Sequence, residues 1–333
     1  MRCSSVHIPD NYLSPATCGT LVTAMAPVWT VAVLKVKVQI KKHHETLPML
    51  GIAASLAFLI MMFNLPIPGG TTAHAVGGTL LAVLIGPWAA CLALTVTLLL
   101  QALLFGDGGI LAFGANALNM AVIMPFVGYA CYRLGQKWHH EKLGLAIGAY
   151  LGINMAALVA GIELGLQPIL AHTASGAPLY CPYGLNITIP AMLTAHLLVA
   201  GWVEVVFTLL VFQFVKRVAP TNLYQTPTRR NQRPWIALLL GLAVLSPLGL
   251  LASNTAWGEW SPQELQQRLA QQHISTHAPQ GMVHGFHFQA LFSDYAIAGL
   301  PVSVGYILSA ITAVLIFLLL IRGLQHETDT SQH

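Results

Sequence analysis

Residues 88–105 read WAACLALTVTLLLQALLF, eighteen consecutive positions without a charged side chain. A helix rises about 1.5 Å per residue and a bilayer core is about 30 Å thick, so a run of this length and character takes lipid as its solvent. Eight further apolar runs flank it, at residues 19–38, 47–65, 70–85, 110–132, 143–166, 187–215, 234–252 and 300–321. The pattern predicts an all-α polytopic membrane protein with about nine transmembrane helices. Run 70–85 is short and glycine-rich, so the count depends most on it. Composition agrees: charged residues are 8% of the 333, against roughly a quarter in soluble domains.

Positive charge orients the spans, because Lys and Arg in short loops are retained in the cytoplasm. Lys35, Lys37, Lys41 and Lys42 follow the first run, Arg133, Lys137 and Lys142 the fifth, Lys216, Arg217, Arg229, Arg230 and Arg233 the seventh, and Arg322 the ninth. Only Arg2 and Arg268 fall on the other side. The N-terminus is therefore expected outside and the C-terminus in the cytoplasm. The basic charge is topological and implies a lipid bilayer as partner, with no nucleic acid. The first residues lack the basic start and apolar run of a secretory signal, so no cleavage is expected.

Residues 219–233, APTNLYQTPTRRNQR, are polar and contain proline, as a cytoplasmic linker does. They join a seven-run module to a two-run hairpin. Inside the hairpin lies an outer loop, 253–299, too long for a plain connection. There Ser261-Pro262-Gln263-Glu264 reads as an N-cap, a first-turn proline and a capping box, predicting a short helix through Gln272. His273, His277, His284 and His287 follow, and the loop reads either as a metal site or as a polar segment using His as a neutral surface residue. In the sixth run Gly144, Gly148, Gly152, Ala156 and Ala160 recur every four residues, a stripe that lets a second helix approach, from this chain or from another subunit. Cys18 and Cys181 both lie near the outer face and could pair.

Several enzyme signatures are missing. No G-x-x-x-x-G-K-[ST] phosphate loop occurs, and no H-E-x-x-H or G-x-S-x-G. A catalytic reading as a membrane metalloenzyme also lacks a general base near the two histidines that remain. His7 stands in VHIPDNYLSP before the first run, and His74 in PGGTTAHAVGG where the third run begins. Topology puts both on the outer side. Gly69-Gly70 and Gly77-Gly78 around His74 leave room for close backbone approach.

These segments resemble the CbiM/NikM family, the nickel/cobalt-specific substrate-binding (S) components of energy-coupling-factor transporters. The family's N-terminus reads M-H-I-P-D-G-[YF]-L-S-P, and residues 6–15 match it except at Val6 and Asn11. The glycine-rich segment around His74 and the run QALLFGDGGILAFGANALN at 101–119 are also similar. SPLGLLASNTAWGEW, SDYAIAG and GYILSAI, within 246–311, resemble the small NikN/CbiN subunit. The resemblance implies a seven-helix metal-binding module at 6–217, a linker at 218–233, a fused NikN-like hairpin at 234–322 and a polar tail at 323–333.

The resemblance further implies a site in which a free terminal amine, the next amide nitrogen and that residue's imidazole chelate Ni2+ or Co2+, with a second His as fourth nitrogen. Four nitrogens in a plane suit Ni(II), a weak lean that leaves cobalt open. Mapped here, the metal ligands are the amine of Val6, His7 and His74. Because His7 stands seventh, this requires residues 1–5 to be a mis-annotated start, with Val6 the true initiator translated as Met. The imidazoles must be neutral to bind, so affinity should fall below a pH of about 6.5.

Ionisable groups inside spans are expensive and default to a functional role, and Glu163 and Glu204 are such residues. His196 and Glu204 are eight apart on one helix, either touching a coupling subunit or forming a polar pair in the bundle. The resemblance gives a chain without catalysis or cofactor: the substrate-capturing component of an importer in the bacterial cytoplasmic membrane. A transmembrane coupling (T) subunit and ATPase (A) subunits would supply the energy. The rival is a self-contained secondary transporter or exporter, for which the sequence shows no inverted repeat or midplane carboxylate chain.

Overall fold

A computed structural model describes residues 7–67, 71–218, 233–252 and 255–330. Residues 1–6, including Val6, and most of the linker lie outside them.

The main helices are α1 Pro15–Lys42, α2 Thr46–Met61, α3 Gly78–Ile85, α4 Pro87–Phe105, α5 Phe113–Lys137, α6 Glu141–Leu170, α7 Leu185–Val218, α8 Arg233–Leu251, α9 Pro262–Gln271 and α10 Val302–Thr330. Seven of these, α1, α4 to α8 and α10, are long and apolar enough to cross a membrane. Together with α2 and α3 they account for the nine apolar runs.

The third run departs from expectation. A span over 70–85 is predicted, but the helix covers only Gly78–Ile85, and strands β1 Leu65–Ile67 and β2 Thr71–Ala73 pair antiparallel ahead of it. Eight residues rise about 12 Å, less than half a bilayer core. Every residue of α3 is buried, as is every residue of α2 except Pro48. Irregular backbone near the membrane is tolerated where protein surrounds it, and these two central elements meet that condition.

The outer helices turn apolar side chains outward, among them Val33 and Leu34 of α1 and Leu198, Trp202 and Leu210 of α7. The small-residue stripe packs inside the chain. A methyl on Gly144 would stand 2.6 Å from the Gly135 Cα, and one on Gly148 would stand 2.4 Å from the Gly128 carbonyl oxygen, so α6 meets α5 almost backbone to backbone. On the other side α10 lies against α2, where a methyl on Gly51 would reach 2.8 Å from Ile321.

At the end carrying the N-terminal stretch, loops from both parts of the chain are knitted together. The Cys181 amide donates to the Tyr12 carbonyl, Gly281 to Leu179, and Phe292 to Leu104. A second apolar cluster forms beneath these bonds, with Ile8, Tyr12, Leu13, Leu164, Tyr183, Trp260, Leu265 and Met282. Helix α9 carries the expected capping box: the Ser261 hydroxyl accepts from the Glu264 amide at 3.2 Å, and the Glu264 carboxylate accepts from the Ser261 amide at 2.9 Å. It ends at Gln271, with Gln272 as its cap. Cys18 and Cys181 are both buried and free.

Candidate metal centre

The N-terminal stretch forms a ribbon with a turn at Asp10–Asn11 and is held by the segment after α4. Asn116 grips Ile8 from both sides, its Oδ1 accepting from the Ile8 amide at 2.7 Å and its Nδ2 donating to the Ile8 carbonyl at 3.0 Å. The Asp10 carboxylate accepts from the amides of Ile110 and Leu111 at 3.1 and 2.8 Å. Asn11 has φ +68°, a conformation that glycine and asparagine tolerate and most residues do not. This explains why asparagine can stand where the resembled motif has glycine. Its side chain accepts from the Phe286 amide at 2.9 Å and donates to the Phe286 carbonyl at 2.8 Å, tying the ribbon to the outer loop.

This ribbon delivers His7, 4% exposed, to the centre of the knitted end. Its Nδ1 lies 3.1 Å from Asp107 Oδ1. Tyr295, from the outer loop, donates its hydroxyl to Asp107 Oδ2 at 2.5 Å. Burial opposes charge on Asp107, but the charge of His7 and hydrogen bonds from His7 and Tyr295 outweigh it and lower its pKa to about 2. A fixed anion therefore lies behind His7.

His74 arrives from the opposite direction, on the turn between β2 and α3. Its Nδ1 lies 2.7 Å from the Ala75 carbonyl, which fixes Nδ1 as the protonated nitrogen and leaves Nε2 with a bare lone pair. Nε2 is buried and has no hydrogen-bond partner. Burial, with the charge of His7 adding, lowers the His74 pKa to about 3, so the ring is neutral. The turn is clamped by Glu204 of α7, whose carboxylate accepts from the amides of Val76 at 2.8 Å and Gly77 at 3.0 Å. Gly77 has φ +78°, and a methyl there would meet Ile60 at 2.7 Å.

The His7 and His74 ring centres are 5.4 Å apart. An imidazole nitrogen about 2 Å from an ion puts its ring centre about 3 Å away, so this spacing lies within reach of one shared ion. Two of the three residues expected as ligands thus come together; Val6, the third, lies outside the described residues.

The other candidates separate from this pair. His273, His277, His284 and His287 are all exposed. Among the described residues no three His, Cys, Asp or Glu side chains form a metal-binding group. His196 and Glu204 are both buried but do not pair with each other, since His196 Nδ1 lies 2.7 Å from the Met192 carbonyl and Glu204 serves the His74 turn. Glu163 accepts from Asn119 Nδ2 at 2.7 Å.

Sequence reading missed Asp107, Asn116 and Tyr295 as individuals, although all three sit in segments it singled out. Their roles depend on partners about a hundred or more positions away, which no local pattern encodes.

Comparisons with known proteins bear on this arrangement. Residues 7–222 match the CbiM family, described as "Cobalt uptake substrate-specific transmembrane region", and residues 232–326 match the PDGLE domain. The chain is similar to the fused nickel transport protein NikMN of Rhodobacter capsulatus, 42% identical over 93% of this chain and 94% of that protein. It is also similar to the cobalt transport protein CbiM of Lachnoclostridium phytofermentans, 32% identical over 52% of this chain and 70% of the relative. A crystal structure described as a transition metal transporter is 59% identical with a TM-score of 0.60, covering 64% of this chain and 93% of the other.

Proposed function

Since the chain belongs to the CbiM family, we propose that it captures Ni2+ or Co2+ at the outer face and is the substrate-binding subunit of an ATP-driven importer. The observation that carries this reading is the buried pair His7 and His74, 5.4 Å apart, with the unpartnered Nε2 of His74 and the Asp107 carboxylate beside His7. Two imidazole donors with a carboxylate behind one of them favour a borderline-soft dication over the harder Mg2+ or Ca2+, which prefer all-oxygen sites.

The remaining ligands come from the main chain. In this reading the mature protein starts at position 6 with Met in place of Val6. Its amine and the His7 amide nitrogen complete two fused chelate rings with the His7 imidazole, and His74 supplies the fourth nitrogen. Nickel and cobalt both fit four nitrogens, and relatives named for each metal are similar to this chain. Energy comes from partner T and A subunits, in keeping with the absence of a phosphate loop from the sequence.

The test is nickel binding and cellular uptake by His7→Ala and His74→Ala. Both variants should insert normally, because the substitutions leave every apolar span unaltered, and both should lose tight nickel binding. Uptake by the unaltered chain should require the partner ATPase genes. Retained binding in both variants would sink the reading.

A further inference from the structure

His74 lies between two anchored points. Ahead of it Ala73 pairs with Leu65 in the β1–β2 ladder, and behind it the chain turns at Gly77 into α3. Gly77 is the N-cap of α3, and a helix start leaves its first four N–H groups without partners inside the helix. A cap residue ordinarily answers one of them with a side-chain oxygen, which glycine lacks. Glu204 answers from α7 instead. Its Oε2 accepts from the Val76 amide at 2.8 Å, and its two oxygens lie 3.0 and 3.1 Å from the Gly77 amide nitrogen. Glu204 is fully buried, so these bonds are shielded from bulk water.

The His74 ring is locked to the same turn. Its Nδ1 lies 2.7 Å from the carbonyl of the next residue, Ala75, so the ring moves with the main chain that carries it. Nε2, the nitrogen left for a metal, is aimed by the backbone, and the backbone is held by Glu204.

From this arrangement we propose that Glu204 sets the metal selectivity of the site, holding His74 where its Nε2 completes a planar four-nitrogen set and so favouring Ni2+ over Zn2+. It rests on the metal-capture reading above and adds a specificity-determining residue 128 positions from the turn it holds. Raw affinity discriminates poorly among these divalent ions, and proteins select between them by imposing geometry. Ni2+ accepts a square plane of nitrogens, whereas Zn2+ is held almost always as a tetrahedron. The amine, amide and imidazole of fused chelate rings lie close to one plane, so the fourth donor decides. An imidazole free to swing can leave that plane and suit zinc. One pinned through its turn cannot. Glu204 touches no metal in this scheme and is a positioning residue that acts through the His74 main chain.

The experiment measures Ni2+ and Zn2+ affinities of the purified full chain by competition with a chromophoric chelator, for wild type, Glu204→Ala, His74→Ala and the double variant. Removing the partner that orients a metal ligand typically costs about 10–100-fold in affinity, so Glu204→Ala should weaken Ni2+ by about tenfold or more while Zn2+ stays within about twofold. Glu204→Gln keeps the side-chain volume and one acceptor oxygen. It should shift the ratio in the same direction by less, and it carries the test if Glu204→Ala fails to insert. In the His74→Ala background Glu204→Ala should alter neither affinity, because residues that act through one another are not additive. Partial misfolding lowers both metals by one factor, so the ratio reads geometry and not stability. An unchanged ratio in both Glu204 variants, or a further change of ratio on top of His74→Ala, overturns the selectivity role and leaves the capture reading intact. Tight nickel binding that survives His74→Ala overturns the capture reading and the role of Glu204 with it.

Discussion

At the scale of single residues, the histidines were legible and their supports were not. His7 and His74 stand out because a rare side chain sits at a membrane boundary within a recognisable motif. Asp107 sits in a Gly-Asp-Gly-Gly turn that reads locally as a loop, and Tyr295 lies 188 positions from it. Their union makes a line, Tyr295 to Asp107 to His7, that ties the outer loop to the metal site. Both Asp294 and Tyr295 have positive φ, 57° and 59°, conformations that cost non-glycine residues and persist only when packing enforces them. The Tyr295 ring is stacked 4.9 Å from that of Phe105, which supplies that packing. Tyr295→Phe should keep the stack and lose only the hydroxyl. A hydrogen bond to a charged group contributes ~1.5–3 kcal/mol, so nickel affinity should fall by about tenfold or more, with a modest drop in thermal midpoint from the buried carboxylate that loses a donor. Calorimetry showing wild-type affinity would remove Tyr295 from the site.

Among the elements, apolar runs placed the helices to within a few residues, because length and hydrophobicity are what a bilayer selects. The exception is instructive. Helix α3 is half the expected span, since its surroundings are protein and not lipid, and a window of apolar residues cannot tell the two apart. The role of Glu204 was hidden for a related reason. Its partners are the main-chain amides of Val76 and Gly77, which carry no signature in the sequence. A π-turn at His196–Ala200 also breaks the regular register between His196 and Glu204. The small-residue stripe had two readings, and close packing of α6 on α5 within the chain is the one observed. Gly148→Leu should therefore clash with the Gly128 carbonyl and cost ~1–3 kcal/mol or more. Gly241→Leu, where nothing lies within 4 Å, serves as the comparison and should be near neutral. Equal thermal midpoints for the two in detergent would show that the stripe tolerates bulk.

For the whole molecule, the one-sided Lys and Arg distribution and the knitted end make one picture. The ribbon carrying His7, the turn carrying His74 and the outer loop all gather at the end that the charge rule places outside. There water is present, so burial of Tyr12, Trp260, Leu265 and Met282 contributes a hydrophobic term that helix contacts within lipid do not have. A cysteine introduced as Thr276→Cys should react with a membrane-impermeant thiol reagent in intact cells, and Thr228→Cys should react only after lysis. The opposite pattern would invert the topology and put the histidines in the cytoplasm. The central claim, that the terminal amine, His7 and His74 hold the metal together, is tested most directly by native mass spectrometry of the nickel-loaded chain, which reads the start residue and the bound metal at once. The account predicts a chain beginning with Met at position 6 and carrying a nickel ion that survives dilution. A chain beginning at Met1 that holds the ion equally tightly would contradict it.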